Sequence, residues 1–214
     1  MKHHKRILLV RHGETDWNRE ERIQGMMDIP LNALGLAQAE QVGVALAMQV
    51  TSDAEMVVSD LVRTRETAKP IVNATGIDPR FDARLRERHF GVWQGKTYQE
   101  WRELDAEGAR RHASGEADYG PEGGETARQF LNRCVNTVTD LSIACDEPAL
   151  VLVTHGGVVS SMVRHSQGLE SNSARTWSVP NASISEWRFD GEMFYMERVG
   201  DVTHLSDALD EIDR

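Results

Sequence analysis

The chain has 214 residues, 40% of them hydrophobic and 27% charged, and a formal net charge of −10. That length suits one α/β domain burying roughly 70–75% of its unfolded surface. The acidic balance counts against broad binding to nucleic acid or to an anionic membrane, but leaves room for an anion pocket in which positive charge is concentrated.

The start, "MKHHKRILLV", is basic, with four apolar residues before Arg11. A secretory core needs roughly 7–15, and no run approaches the ~20 of a membrane span, so the expected location is the cytoplasm. His3 and His4 read as a basic tail rather than a metal pair. "RILLV" predicts a buried strand of a largely parallel sheet. "PLNALGLAQAEQVGVALAMQV" predicts a helix capped by Asn32, with Leu34, Ala37, Val44, Ala45 and Met48 at helical spacing. "EMVVSD" reads as a second strand and "RTRETAKPIVNATG" as a second helix ending near Gly76. "RFDARLRERHFGVWQG" reads as extended loop, and "YQEWRELDAEGARRHASGEADYGPEGGET" as a short helix followed by a long loop. "ETARQFLNRCVNTVTDLSIAC" predicts a third helix, with Cys134 on an apolar stripe beside Phe130, Leu131, Val138 and Leu141. Cys134 and Cys145 lack zinc or CxxC spacing and read as plain thiols. "ALVLVTHGGVVSSMVRHSQG" predicts strand, tight turn and helix. "SISEWRFDGEMFYMERV" predicts a hairpin around Asp190-Gly191, and the acidic tail from Asp201 is expected to be loosely held. Alternating strands and helices without linker or repeat predict one domain, a three-layer α/β/α sandwich with a mostly parallel sheet.

Chemistry gathers where the strands end. "ILLV" runs into Arg11 and His12, "MVVSD" leads to Arg63, and "LVLV" runs into Thr154, His155, Gly156 and Gly157. Ligands of open α/β sheets bind outside the carboxyl ends of strands, so Arg11, His12, Arg63 and His155 are expected to form one basic cup. Arginine forks match phosphate oxygens, and the N–H groups that open the Gly156-Gly157 helix favour an anion. A neutral imidazole is a competent nucleophile towards phosphorus, and neighbouring arginines disfavour its protonated form. Transfer to histidine needs an acid for the leaving alcohol. Glu87 is a candidate, because a carboxylate beside a phosphoryl group has its proton affinity raised. On composition Glu100 and Glu103 are alternatives, in a charge-mixed helical segment. His89 and His165 read as structural or surface residues.

These motifs carry a resemblance. "RHGETDWN" resembles the defining motif of the histidine phosphatase superfamily, in its phosphoglycerate-mutase-like branch. "RIQGMMDIPLNALGLAQA", "SDLVRTRETA", "LRERHFGVWQG", "PEGGET" and "VTHGG" resemble five further family blocks, in family order, from Ile7 to about Gly168. The resemblance implies that His12 becomes phosphohistidine, that Arg11, Arg63 and His155 bind the phosphoryl group, and that Glu87 gives and then takes a proton. It implies that Asn18, Gln24 and Gly25 shape the substrate pocket together with Gly156, and that neither metal nor cofactor is needed.

The family holds phosphatases and mutases. Its cofactor-dependent mutases typically read H-G-N where this chain has His155-Gly156-Gly157, and carry a longer insertion after the acid. Both features favour a phosphatase acting on small phosphomonoesters. The tandem Arg110-Arg111 cuts the other way, since mutases hold a substrate carboxylate with such a pair. Its alternative reading is a solvated helix face. A third class, a phospho-ligand binder without turnover, is expected to lack His12, Glu87 or His155. Trp93, Tyr98, Trp101 and Tyr119 either line the pocket roof or pack beneath it. Gln94 stands where the family often has an acid, which bears on the preferred ester. The hairpin edge near Trp187 could pair with a second copy in a homodimer, or be blunted by Glu186 and Arg188.

Overall fold

A computed structural model describes residues 4–171 and 173–205. In chain order the elements are β1 (Lys5–Arg11), α1 (Asp16–Arg19), α2 (Ala33–Ala47), β2 (Glu55–Val58), α3 (Val62–Thr75), β3 (Pro79–Phe81), α4 (Tyr98–Leu104), α5 (Ala106–Ala113), α6 (Ala127–Ala144), β4 (Ala149–Thr154), α7 (Gly156–Ser166), β5 (Ile184–Phe189) and β6 (Phe194–Asp201). The sheet order is β3-β2-β4-β1-β5-β6. The three pairings from β3 to β1 are parallel, and β5 and β6 join antiparallel. The architecture is the expected three-layer α/β/α sandwich.

The apolar runs of β1, β2 and β4 are continuous because both faces of the sheet are covered. Ile7, Leu9, Val57, Leu150 and Leu152 pack with Val138 and Leu141 of α6 and with Val159, Met162 and Val163 of α7. Their neighbours Leu8, Val10, Met56, Val58, Val151 and Val153 pack on the opposite face with Val42 and Leu46 of α2 and Ala68 and Ile71 of α3. The period-two alternation of strand side chains thus divides one sequence run between two cores.

Asn32 caps α2 as expected, its Oδ1 accepting from Gly35 N at 2.8 Å. The buried face of α2 differs from the expected one. Gly35, Gln38, Ala39, Val42, Gly43, Ala45 and Leu46 are buried, whereas Val44 is 63% and Met48 78% exposed. Close approach explains the rotation: a Cβ on Gly35 would lie 2.0 Å from Glu14 O, and one on Gly43 2.8 Å from Pro70 O. Large apolar residues do not mark a face that packs backbone to backbone.

Three further expectations are corrected. The loop after Gly76 contains β3, an edge strand pairing with β2. The polar stretch from Tyr98 holds two helices, α4 and α5, before its loop. Asp201 closes β6, and Leu205 packs against the core; the rest of the acidic tail and His3 lie outside the described residues. Trp187 is fully buried on the inner strand β5, where Glu186 pairs with Arg6 and Arg198; the outer strand of the hairpin is β6. Both cysteines are buried free thiols. No helix among the described residues is long and apolar enough to cross a membrane.

Candidate active site

The carboxyl ends of β1, β2 and β4 open into a cavity of about 520 Å³. Arg11, His12, Asn18, Gln24, Gly25, Arg63, Glu87, Gly156 and Gly157 all line it. His155 lies directly behind, fully buried, its ring 5.3 Å from that of His12 at an interplanar angle of 63°. Every residue expected at the site therefore converges on one place.

His12 is fixed by its backbone and by its ring. Its N–H donates to Thr154 O, and its carbonyl accepts from Ala182 N at 3.0 Å and Asn181 Nδ2 at 3.1 Å. Ala182 holds φ at +60°, a left-handed conformation unusual outside glycine. On the ring, Nδ1 lies 2.7 Å from Gly13 O. A carbonyl only accepts, so Nδ1 carries the proton and Nε2 carries the lone pair. Burial pushes the His12 pKa well below the ordinary imidazole range, and the charges of Arg63 and Arg11 push it further, against the Gly13 contact. His155 is lowered well below that range by burial first, then by Arg63, His12 and Arg11. Its Nε2 is 2.9 Å from Ser59 Oγ, while its Nδ1 is buried without a partner.

Arg63 sits in the first turn of α3 and is fully buried. It donates to Met27 O and Gly25 O, each at 2.8 Å, and its Nε is buried without a partner. Burial lowers its pKa to about 10, which leaves it cationic at neutral pH. Arg11 donates to Val179 O at 2.5 Å. Gly25 receives this convergence with φ at +53°. Gln94 Oε1 braces the same loop by accepting from Met26 N at 2.8 Å and Phe90 N at 3.3 Å. Gln94 is thus a brace for the wall and not part of the lining.

Glu87 faces the arginines. Its Oε2 accepts from Gly157 N at 2.9 Å and its Oε1 from Arg88 N at 2.8 Å. The N-terminus of α7 therefore holds this carboxylate, where the sequence suggests a direct phosphate contact. A Cβ on Gly157 would lie 2.1 Å from Glu87 Oε1, so a side chain there excludes the observed position. Behind Glu87, Arg133 donates to the carbonyls of Arg84, Arg86 and Glu87 and pairs with Glu125 at 2.7 Å. Glu125 also accepts from His89 N at 2.8 Å. The "PEGGET" block thus clamps the acid-bearing segment. The alternatives Glu100 and Glu103 lie away from the cavity lining; Glu100 caps α4 through Thr97.

The aromatic residues divide. Tyr98 and Tyr119 line the cavity. Trp93 and Trp101 pack beneath it, 4.3 Å apart, with Ile23. Arg110 pairs outward with Glu107, and Arg111 pairs with Glu116 while lying over Tyr119. Neither lines the cavity. Sequence reasoning missed Asn181, Ser59, the Glu125–Arg133 pair, and Arg164 and Arg175 on the cavity wall. A family block flagged only Glu125. Among the described residues no group of three His, Cys, Asp or Glu side chains is arranged to hold a metal ion.

The sequence profile of the histidine phosphatase superfamily (branch 1) matches residues 7–202. The chain belongs to this superfamily. It is 36% identical over 217 residues to a probable phosphoglycerate mutase GpmB of Salmonella choleraesuis, covering 97% of this chain and 99% of that one. It is 34% identical over 205 residues to phosphoglycerate mutase-like protein 4 of Arabidopsis thaliana, covering 94% and 87%. A mycobacterial glucosyl-3-phosphoglycerate phosphatase, solved with VO3, superimposes with a TM-score of 0.81 at 30% identity, over 92% of this chain and all of that one. Family membership and these neighbours make the chain an enzyme of the phosphatase or mutase type.

The depressed histidines give a stability signature. His12 and His155 resist protonation when folded but take protons near pH 6.5 when unfolded. The unfolded state therefore binds more protons below that pH, and stability is lost as pH falls. Each such histidine contributes a slope of about 1.4 kcal/mol per pH unit. In phosphate-free buffer, urea midpoints are expected to drop from pH 7 to 5, and His155→Gln is expected to flatten that drop.

Proposed function

We propose that the protein is a metal-independent phosphomonoester hydrolase that acts on small phosphorylated metabolites through a phosphohistidine on His12. The observation that carries this reading is the Nδ1–Gly13 contact, which leaves Nε2 unprotonated in a cavity lined by Arg11 and Arg63. The Nε2 lone pair attacks phosphorus as the ester P–O bond breaks. Glu87 gives its proton to the leaving oxygen. Arg11 and Arg63 hold the phosphoryl oxygens, His155, expected to share that role, stands directly behind the His12 ring instead, and Asn18, Gln24, Gly25 and Gly156 shape the surrounding wall. Water then attacks phosphorus, Glu87 takes its proton, and the P–N bond breaks to release phosphate and restore neutral His12.

Fixed charges aimed at the spreading charge of the phosphoryl group lower the barrier without reorganisation. Arg11→Ala is expected to cost roughly 10²–10³ in kcat, read with 4-nitrophenyl phosphate in EDTA. The covalent step is tested by rapid mixing with substrate, an alkaline quench and intact-mass measurement. A gain of one phosphoryl group, lost in acid, is expected; no gain under a saturating fast substrate counts against the covalent route.

A second reading, phosphoglycerate mutase, draws on the names of the curated relatives. In that reaction the phosphoryl group returns to a bound phosphoglycerate. Two observations favour hydrolysis. Gly157 leaves no side chain beside Glu87, and neither Arg110 nor Arg111 lines the cavity, each being held by a carboxylate, Glu107 and Glu116 respectively.

A further inference from the structure

The outer end of the cavity carries a second pair of cations, Arg164 and Arg175, beside Ser160, Ser161 and Ser173. Gly157, Ser160, Ser161 and Arg164 share one face of α7, at the three- and four-residue spacing of a helix. The Arg164 guanidinium lies over Trp177, 5.0 Å from the ring centroid. Its Nη1 is 3.4 Å from Ser160 O and its Nη2 3.1 Å from Ser173 O, while Nε is buried with no partner. No carboxylate is among its partners. Burial and the like charge of Arg175 both push it below the ordinary arginine range. By contrast Arg22, on the same cavity lining, pairs with Glu100. A partly desolvated cation beside another cation is unfavourable until an anion arrives. Charge of this kind on a cavity wall, in a chain of net charge −10, points to a ligand.

We propose that the substrate carries a second anionic group, a carboxylate or a second phosphate, bound by Arg164 and Arg175 while its ester phosphate lies at His12. This rests on the phosphomonoester reading. Seven residues of helix separate Gly157 from Arg164, which is roughly 10 Å along the axis. Helical side chains tilt towards the N-terminus, which brings the guanidinium back towards the phosphoryl cup. Two charged groups separated by a small sugar or an aryl ring fit that span. A planar fork accepts either anion, and because its partners are backbone carbonyls and no carboxylate, Arg164 gives the wall a preference for charge over a neutral polar tail.

The test uses His12→Ala, which keeps the cavity wall and removes turnover. Calorimetry compares 4-carboxyphenyl phosphate with phenyl phosphate, and glucose 1,6-bisphosphate with glucose 6-phosphate. At least one doubly anionic partner is expected to bind roughly tenfold more tightly than its match, and the pair that shows it distinguishes carboxylate from phosphate. Arg164→Gln or Arg175→Gln in the same background is expected to collapse that ratio. Arg175 is exposed, so its replacement reports even if the Arg164 variant misfolds. A merely structural role for Arg164 shifts the melting temperature and leaves the ratio unchanged. Equal affinities within both pairs, or a preference that survives both substitutions, overturns the proposal. Turnover of the same esters by the parent enzyme is read separately. Hydrolysis with equal affinities leaves the hydrolase reading standing without the subsite, and preference without hydrolysis does the opposite.

Discussion

His12→Ala is expected to lower kcat by roughly 10⁴–10⁶-fold, in the range seen when a covalent nucleophile is removed. The loss is this large because nothing else in the cup replaces the nitrogen. His155 faces Ser59 through Nε2 and sits behind His12 rather than on the cavity lining. The arginines are cations, and Glu87 is occupied by two backbone N–H groups. The fold is expected to persist, because the ring contributes one hydrogen bond, to Gly13 O, worth about 1 kcal/mol. The backbone clamp from Asn181 and Ala182 stays in place. Activity and melting are therefore expected to separate: near-background turnover with a near-parental melting temperature. Parallel loss of both would mean that His12 matters for folding rather than for transfer.

Glu87→Gln is the second large effect, with a signature of its own. General acid–base catalysis is worth roughly 10²–10⁴-fold, and alkyl esters are expected to lose that much, because an alkoxide leaves poorly without a proton. With 4-nitrophenyl phosphate the first step needs no acid, but the second still needs a base. A burst of one nitrophenolate per enzyme, followed by slow turnover, is expected. Gly157→Ala supplies the control. Its methyl would lie 2.1 Å from Glu87 Oε1 and 2.9 Å from the Phe130 ring, so it displaces the carboxylate without changing its chemistry. The same leaving-group dependence is expected, and a uniform loss across esters would place Glu87 in binding instead.

The site was legible in the sequence where chemistry sits at the end of a continuous apolar run. "ILLV" into Arg11-His12 and "LVLV" into Thr154-His155 mark buried parallel strands and their carboxyl ends at once. Six ordered blocks supplied the rest; the site residues named from them line one cavity, except His155, which lies directly behind His12. What stayed hidden depends on contacts distant in sequence. Asn181 reaches His12 across 169 residues, and Arg133 reaches the Glu87 carbonyl across 46. Neither has a local period that would mark it. On α2 only Ala45 of the expected stripe is buried, and the rest of the face differs for another reason. Gly35 and Gly43 pack through their lack of a side chain, and Gln38 is buried to accept from Glu14 N, whereas hydrophobic periodicity counts only what is large and apolar. Edge strand β3 has three residues, too few for alternation to show.

Phosphorus NMR of the parent enzyme in EDTA, with a panel of monoesters that includes 3-phosphoglycerate and a trace of its bisphosphate, separates hydrolysis from phosphoryl return to the substrate. Growth of inorganic phosphate from several esters, absent with His12→Ala, is the predicted result. Migration of the 3-phosphate signal to the 2-position without free phosphate would contradict it and make the enzyme a mutase.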